Sequence, residues 1–270
     1  MLVAGTAFVF KETRIYLNCH FRYDFWYQPY HNVMISTEWG APRCFSKQLN
    51  PADVADGNYG THLNVFNWKE RKLIQRIDLG MEGVMPLEIR FLHDPKATEG
   101  FVGCALNAKV FRFFKTEKGD WAAEKVVDIP TKKVEGWVMD DMPGVMTDII
   151  LSLDDKYLYF SNWVHGDIRQ YDITDTKNPK LVGQVFLGGL IYKGSPIKVL
   201  EDTELKVRKE NSLRAIVLRQ YRQLSTLHTD HATKPYISWL RLFELSIGIR
   251  QRLLLRDLLA DQTGENTLLL

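Results

Sequence analysis

Seven histidines and three cysteines are the side chains of this 270-residue chain that could hold a metal or attack an electrophile. Imidazole and thiolate are the donors that copper and zinc accept, and short spacings such as H-E-x-x-H or C-x-x-C mark such sites. Neither spacing occurs here. His31 follows the aromatic run Tyr23 to Tyr30, and His62 opens an apolar stretch. His93 stands before Asp94-Pro95, and His165 sits at a hairpin tip before Gly166-Asp167. His228 and His231 lie three apart toward the C-terminus. Each reads as a turn or surface histidine. No residue is assigned a catalytic, cofactor-binding or metal-ligand role.

The cysteines Cys19, Cys44 and Cys104 make neither a C-x-x-C pair nor an even set, which points to a reducing, cytoplasmic compartment rather than a disulfide framework. Cys104 lies within Phe101–Leu106, where a thiol behaves as a small hydrophobe. Cys44 follows Arg43, whose charge favours the thiolate, so it is the better nucleophile of the two. Neither Glu38 with Asp53 nor Asp140 with Asp141 has a spacing that sets two carboxyls across a substrate. No glycine-rich loop precedes a helix to cradle phosphate. The net charge of +2 argues against a polyanion binder, and the aromatic residues alternate as core rather than as a stacking platform for nucleic acid.

Short strands must position these groups. Val145–Leu153, Tyr157–Trp163, Ile168–Ile173 and Leu181–Leu187 are separated by the turns Asp154–Lys156, His165–Asp167 and Asp175–Pro179, a four-stranded meander. Leu87–Leu92, Phe101–Leu106, Val110–Phe114 and Trp121–Ile129 predict a second unit. Asn32–Trp39, His62–Trp68 and Leu73–Leu79 predict a third, interrupted by the polar excursion Gly40–Gly60. Meanders of this kind are the blades of a β-propeller. The fold expected is all-β: about three blades of a partial propeller, with an atypical helical C-terminal tail.

The chain divides into a divergent segment 1–22, the propeller segment 23–205 and a basic, leucine-rich tail 206–270. The tail holds eleven Lys or Arg against six Asp or Glu. Trp239–Ala260 reads as an amphipathic helix, and contact of this tail with a membrane is not expected. Leu2–Phe10 is apolar but short and reads as a buried strand rather than a signal peptide. No run reaches the roughly 18 apolar residues that span a bilayer.

Several segments carry a resemblance. DFWYQPYHNVMISTEWG (24–40), NPADV (50–54), PLEIRFLHDP (86–95), GFVGCAL (100–106), MPG (142–144), DIILSLDDKYLYFSNWVHGDIRQYDI (148–173) and GSPIKVLEDTEL (194–205) resemble the selenium-binding protein family in order and spacing. The resemblance runs from about Tyr23 to Leu205. It implies a cytosolic, seven-bladed propeller with copper-dependent methanethiol oxidase activity, an oxidoreductase turning methanethiol, oxygen and water into formaldehyde, hydrogen sulfide and hydrogen peroxide. It also implies selenium binding through a cysteine.

The family's paired-histidine, His-Glu and cysteine-rich motifs have no counterparts in residues 1–22 or 206–270, so none of its ligands is carried over. The expectation is therefore a truncated, inactive form that does not itself bind copper or selenium, with a small thiol as the family substrate. The alternative is a non-catalytic scaffold that takes a protein partner, or another copy of itself, at open blade edges.

Overall fold

Along Glu99–Cys104 every second side chain turns to the same side, and both sides are apolar, which requires a sheet buried on two faces. The computed structural model describes residues 22–46, 50–186, 188–192 and 194–204, and builds three four-stranded antiparallel sheets with their strands in chain order. The first holds β1 (Arg22–Gln28), β2 (Val33–Glu38), β3 (His62–Asn67) and β4 (Lys72–Asp78), with the short helices α1 (Pro42–Phe45) and α2 (Pro51–Ala55) between β2 and β3. The second holds β5 (Pro86–Phe91), β6 (Glu99–Cys104), β7 (Lys109–Lys115) and β8 (Trp121–Asp128). After β9 (Lys132–Glu135) and β10 (Asp141–Met142) comes the third, β11 (Met146–Leu151), β12 (Tyr157–Asn162), β13 (Asp167–Asp172) and β14 (Lys180–Phe186). A further strand, β15 (Lys198–Glu201), pairs with β9 to make a fourth, three-stranded sheet in the order β10-β9-β15.

The sheets stack face to face. Val102, Cys104, Phe111 and Phe113 of the second sheet pack on Val33, Ile35, Leu63 and Val65 of the first. Their sequence neighbours Phe101 and Val110 turn the other way and pack on Ile149, Leu158 and Phe160 of the third. Each fully buried Phe or Leu contributes about 2–3 kcal/mol, so the stacking outweighs any single polar contact between sheets. Phe91 meets Phe113 and Trp121 edge-on, with ring centroids 4.8 and 5.5 Å apart. The leading strand β5 lies against both β1 and β11. Sequential meanders stacked through both faces, with their leading strands adjacent, are successive blades of a partial β-propeller.

Each leading strand is bulged near its start, where register shifts fall between Arg22 and Phe25, Pro86 and Ile89, and Met146 and Ile149. A bulge frees a residue from its ladder and re-aims its side chain. At the opposite end of these strands the turns are stapled together. Asp155 accepts the backbone N–H of His93 at 2.8 Å and of Asp94 at 3.2 Å, joining the second blade to the third. Val145, just before β11, sits at φ 51, a conformation a β-branched residue adopts only under packing. No helix among the described residues is long and apolar enough to cross a membrane. The strand expected at Leu2–Phe10 and the helix expected at Trp239–Ala260 lie outside the described residues.

Candidate functional site

His165, expected as a turn or surface histidine, lies in the turn between β12 and β13, where the structure buries it, with 1% of its surface exposed. Tertiary packing is the cause. Val164 and Met142 join Ile191 and Val134 in a small apolar cluster that covers the turn. Gly166 and Gly189 bring two backbones together here, since a Cβ on Gly166 would lie 2.0 Å from the Gly189 nitrogen. His165 Nε2 lies 3.0 Å from the Met142 carbonyl oxygen, which can only accept, so Nε2 carries the proton and Nδ1 keeps its lone pair. That Nδ1 has no hydrogen-bond partner among the described residues, and neither has the buried Oδ1 of Asn162.

Burial pushes the imidazole below its usual range, and Lys132 and Arg169 push the same way against the Met142 bond and Asp167. His165 is therefore neutral at neutral pH. A neutral imidazole whose Nε2–H is held by a carbonyl and whose Nδ1 is bare is oriented as a metal donor.

A network of charges walls this corner. Asp167 accepts from Asn162 Nδ2 at 3.1 Å and from Arg169 Nε at 2.8 Å. Arg169 forks onto Glu204 through Nη1 at 2.5 Å and Nη2 at 2.6 Å, a bidentate pair. Lys132 Nζ lies 2.8 Å from Asp202 and 3.5 Å from Glu204. Burial works against the Glu204 carboxylate, but the Arg169 bonds and Lys132 outweigh it and hold the group below its ordinary range. The network ties β9 and β13 to the segment after β15.

The remaining candidates are scattered. His31 Nε2 donates to the Lys96 carbonyl at 2.9 Å, and His93 Nδ1 lies 2.7 Å from Asp155, so both serve turns as expected. His62 sits 3.4 Å from Glu38, a buried carboxylate that also takes Arg76 Nη2 at 2.8 Å and Asn64 Nδ2 at 3.0 Å. Cys44 is buried against Trp39 and Tyr59, and the Arg43 guanidinium donates to Asn58 at 2.8 Å. The thiolate-favouring placement expected for Cys44 is thus replaced by a packed thiol. Cys104 is buried as expected, and desolvation pushes its thiol far up. Asp53 lies in α2, and Asp141 pairs with Lys133 at 2.7 Å. No three His, Cys, Asp or Glu side chains converge as a metal set among the described residues. Cys19, His228 and His231 lie outside them.

Three stacked meanders with their leading strands adjacent define a propeller segment, and comparison gives the family. The profile of the 56kDa selenium binding protein matches residues 12–216, and the chain belongs to that family. The methanethiol oxidase of Danio rerio is 69% identical over 185 residues, covering 68% of this chain and 40% of the relative. The human methanethiol oxidase is 59% identical over 188 residues, covering 70% and 40%. The chain thus spans about 40% of the length of these curated relatives. A solved structure, a hypothetical selenium-binding protein from Sulfolobus tokodaii, superposes with a TM-score of 0.59 at 37% identity, over 62% of this chain and 39% of that one.

Proposed function

We propose that this chain serves the oxidation of methanethiol, contributing propeller blades and one buried imidazole, His165, to a copper site shared with another polypeptide that supplies the other donors. The observation that carries the reading is the bare Nδ1 of His165 in a segment 69% identical to a methanethiol oxidase. Residues 23–205 form the propeller segment in this reading, and the cytoplasm is its place. The chain's own part is to fix the donor: the Met142 carbonyl sets the tautomer, and burial keeps the ring unprotonated. Copper, when bound, supplies the oxygen chemistry.

Selenium fits less well. Cys44 and Cys104 are both packed in cores, so neither described thiol is presented to a selenium donor.

Copper binding to the purified full chain tests this, read by the nitrogen couplings in its electron paramagnetic resonance spectrum. A coupling that disappears in His165→Ala is the expected result, with no copper-dependent peroxide released from methanethiol by the chain alone. Identical spectra from both proteins would remove His165 from the site. Peroxide and formaldehyde release by the isolated chain would mean that the site is complete within it, against the shared-site reading.

A further inference from the structure

The second and third leading strands each turn two side chains onto the blade before them. Ile89 and Phe91 enter the core shared by the first and second blades, and Ile149 and Leu151 the core shared by the second and third. None of these is more than 5% exposed. Ile89 and Ile149 are the first residues paired after the bulges of β5 and β11, and Phe25 holds that place in β1. Phe25 and Tyr27 therefore stand where Ile89 and Phe91 stand, yet they are 37% and 49% exposed. They pair with Ser36 and Met34, which alternate with the Val33 and Ile35 that face the second blade, so they point away from it. Arg22 closes over Phe66 on that face, but no blade among the described residues covers Phe25 and Tyr27.

An acid and an amide repeat with the same step. Asp24, Glu88 and Asp148 stand immediately before Phe25, Ile89 and Ile149. Asp24 Oδ2 accepts the N–H of Ile89 at 3.1 Å, and Glu88 Oε2 accepts that of Ile149 at 3.0 Å. Asp148 takes the Thr147 hydroxyl at 3.2 Å, and among the described residues no N–H of a later blade comes to it. Beside it, Ile150 and Tyr157 are half-buried on the face turned from the second blade, since Ile149 and Leu158 fill the core on the other. At the opposite end, no acid of an earlier blade stands at the Phe25 N–H among the described residues. The arc begins with a donor and ends with an acceptor, and an open apolar face accompanies each.

We propose that a second copy of this chain occupies both ends: the third blade of each copy packs on the first blade of the other. Asp148 accepts the Phe25 N–H of the other copy, and Ile150 and Tyr157 cover its Phe25 and Tyr27. Two arcs of three blades joined head to tail make a ring of six, within the four to eight blades at which propellers close. The contact is heterologous, since its two sides are different surfaces of one chain, and closure of the ring stops it at two copies. Burial of the aromatic rings supplies the attraction, and the carboxylate-to-amide bond fixes the register. The proposal is independent of the copper reading.

Sedimentation equilibrium of the full chain tests it, and a mass of twice 31.3 kDa is the expected result. Phe25→Lys and Ile150→Lys each set a charge on one of the open faces, outside the cores shared by the blades. Either substitution blocks both junctions of the ring and is expected to weaken the dimer by about a hundredfold or more. Mixed together, the two variants are expected to recover a dimer, because one junction between them remains unaltered. Asp148→Ala, which only removes the acceptor, is expected to weaken the wild-type dimer about tenfold.

A monomeric wild-type chain overturns the proposal whatever the variants do, and masses beyond the dimer overturn the closed ring. A dimer that keeps its affinity in any of the three variants uses other surfaces and overturns it too. So does a mixture that stays monomeric while both lysine variants keep the wild-type circular dichroism.

Discussion

Gln75 on β4 and Trp121 on β8 exchange two hydrogen bonds: Gln75 Nε2 donates to the Trp121 carbonyl at 2.6 Å, and the Trp121 N–H donates to Gln75 Oε1 at 2.9 Å. A side-chain amide here does what a paired strand would do, and it fastens the first blade to the second beside the Phe91–Phe113–Trp121 cluster. Gln75→Ala leaves a part-buried backbone N–H and carbonyl without these partners. The expected cost is about 1–2 kcal/mol, measured by chemical denaturation. A loss within error of zero would mean that water replaces the amide.

Glu38 is 3% exposed and depends on Arg76 for its countercharge. Arg76→Met is expected to cost about 2–3 kcal/mol, less than a fully buried pair because the Arg76 side chain is 35% exposed and screened by solvent. Adding Glu38→Gln to that variant is expected to recover much of the loss. A double variant no more stable than Arg76→Met would show that the carboxylate is not the strained partner.

Gly103 lets the second and third blades close. A Cβ there would stand 2.8 Å from Ile149 Cγ2 and 2.9 Å from Met146 Sδ, both in the shared core. Gly103→Ala is therefore expected to destabilise by about 1–3 kcal/mol through overpacking. Unchanged thermal unfolding would mean that the junction has room that this packing denies.

The thiols of Cys44 and Cys104 are expected to resist alkylation by iodoacetamide in the folded chain at about pH 8, and to react at once in denaturant. Peptide mapping by mass spectrometry separates them from Cys19. Rapid native labelling of Cys104 would contradict both its burial and the upward displacement of its pKa.

Arg169 stands between Asp167 and Glu204 with 1% of its surface exposed. Arg169→Leu leaves two carboxylates facing each other with Lys132 as the remaining cation, and a loss of about 3–5 kcal/mol is expected in equilibrium unfolding. A loss below about 1 kcal/mol would show that the carboxylates turn to solvent.

The third blade was legible because Tyr157–Asn162 alternates between buried and less buried faces and its strands are bounded by Asp, Gly and Pro turns. β1 was not. Its run RYDFWYQ is exposed at most positions and has no period to read. β9 pairs with β15, more than sixty residues later in the chain, and no local pattern announces so distant a partner. The turn at His165 was legible because His-Gly-Asp is a sound turn signal, but its burial was not, since that comes from Met142 and Ile191 elsewhere in the chain. Asp24, Glu88 and Asp148 read as the polar positions of ordinary strands. Their equivalence emerges only from the three bulges that align them.

Asp24 accepts the Ile89 N–H and Glu88 the Ile149 N–H, so both of these acid-to-amide contacts run one way, from a blade to its successor. The order of blades is thereby written into the backbone as a grammar. A blade can be duplicated, deleted or grafted as a unit when it brings both halves of the phrase, an acid at the bulge and an amide just after it. Acid and amide are sequence neighbours, Glu88 and Ile89 in the second blade, so any graft that carries the start of its leading strand carries both.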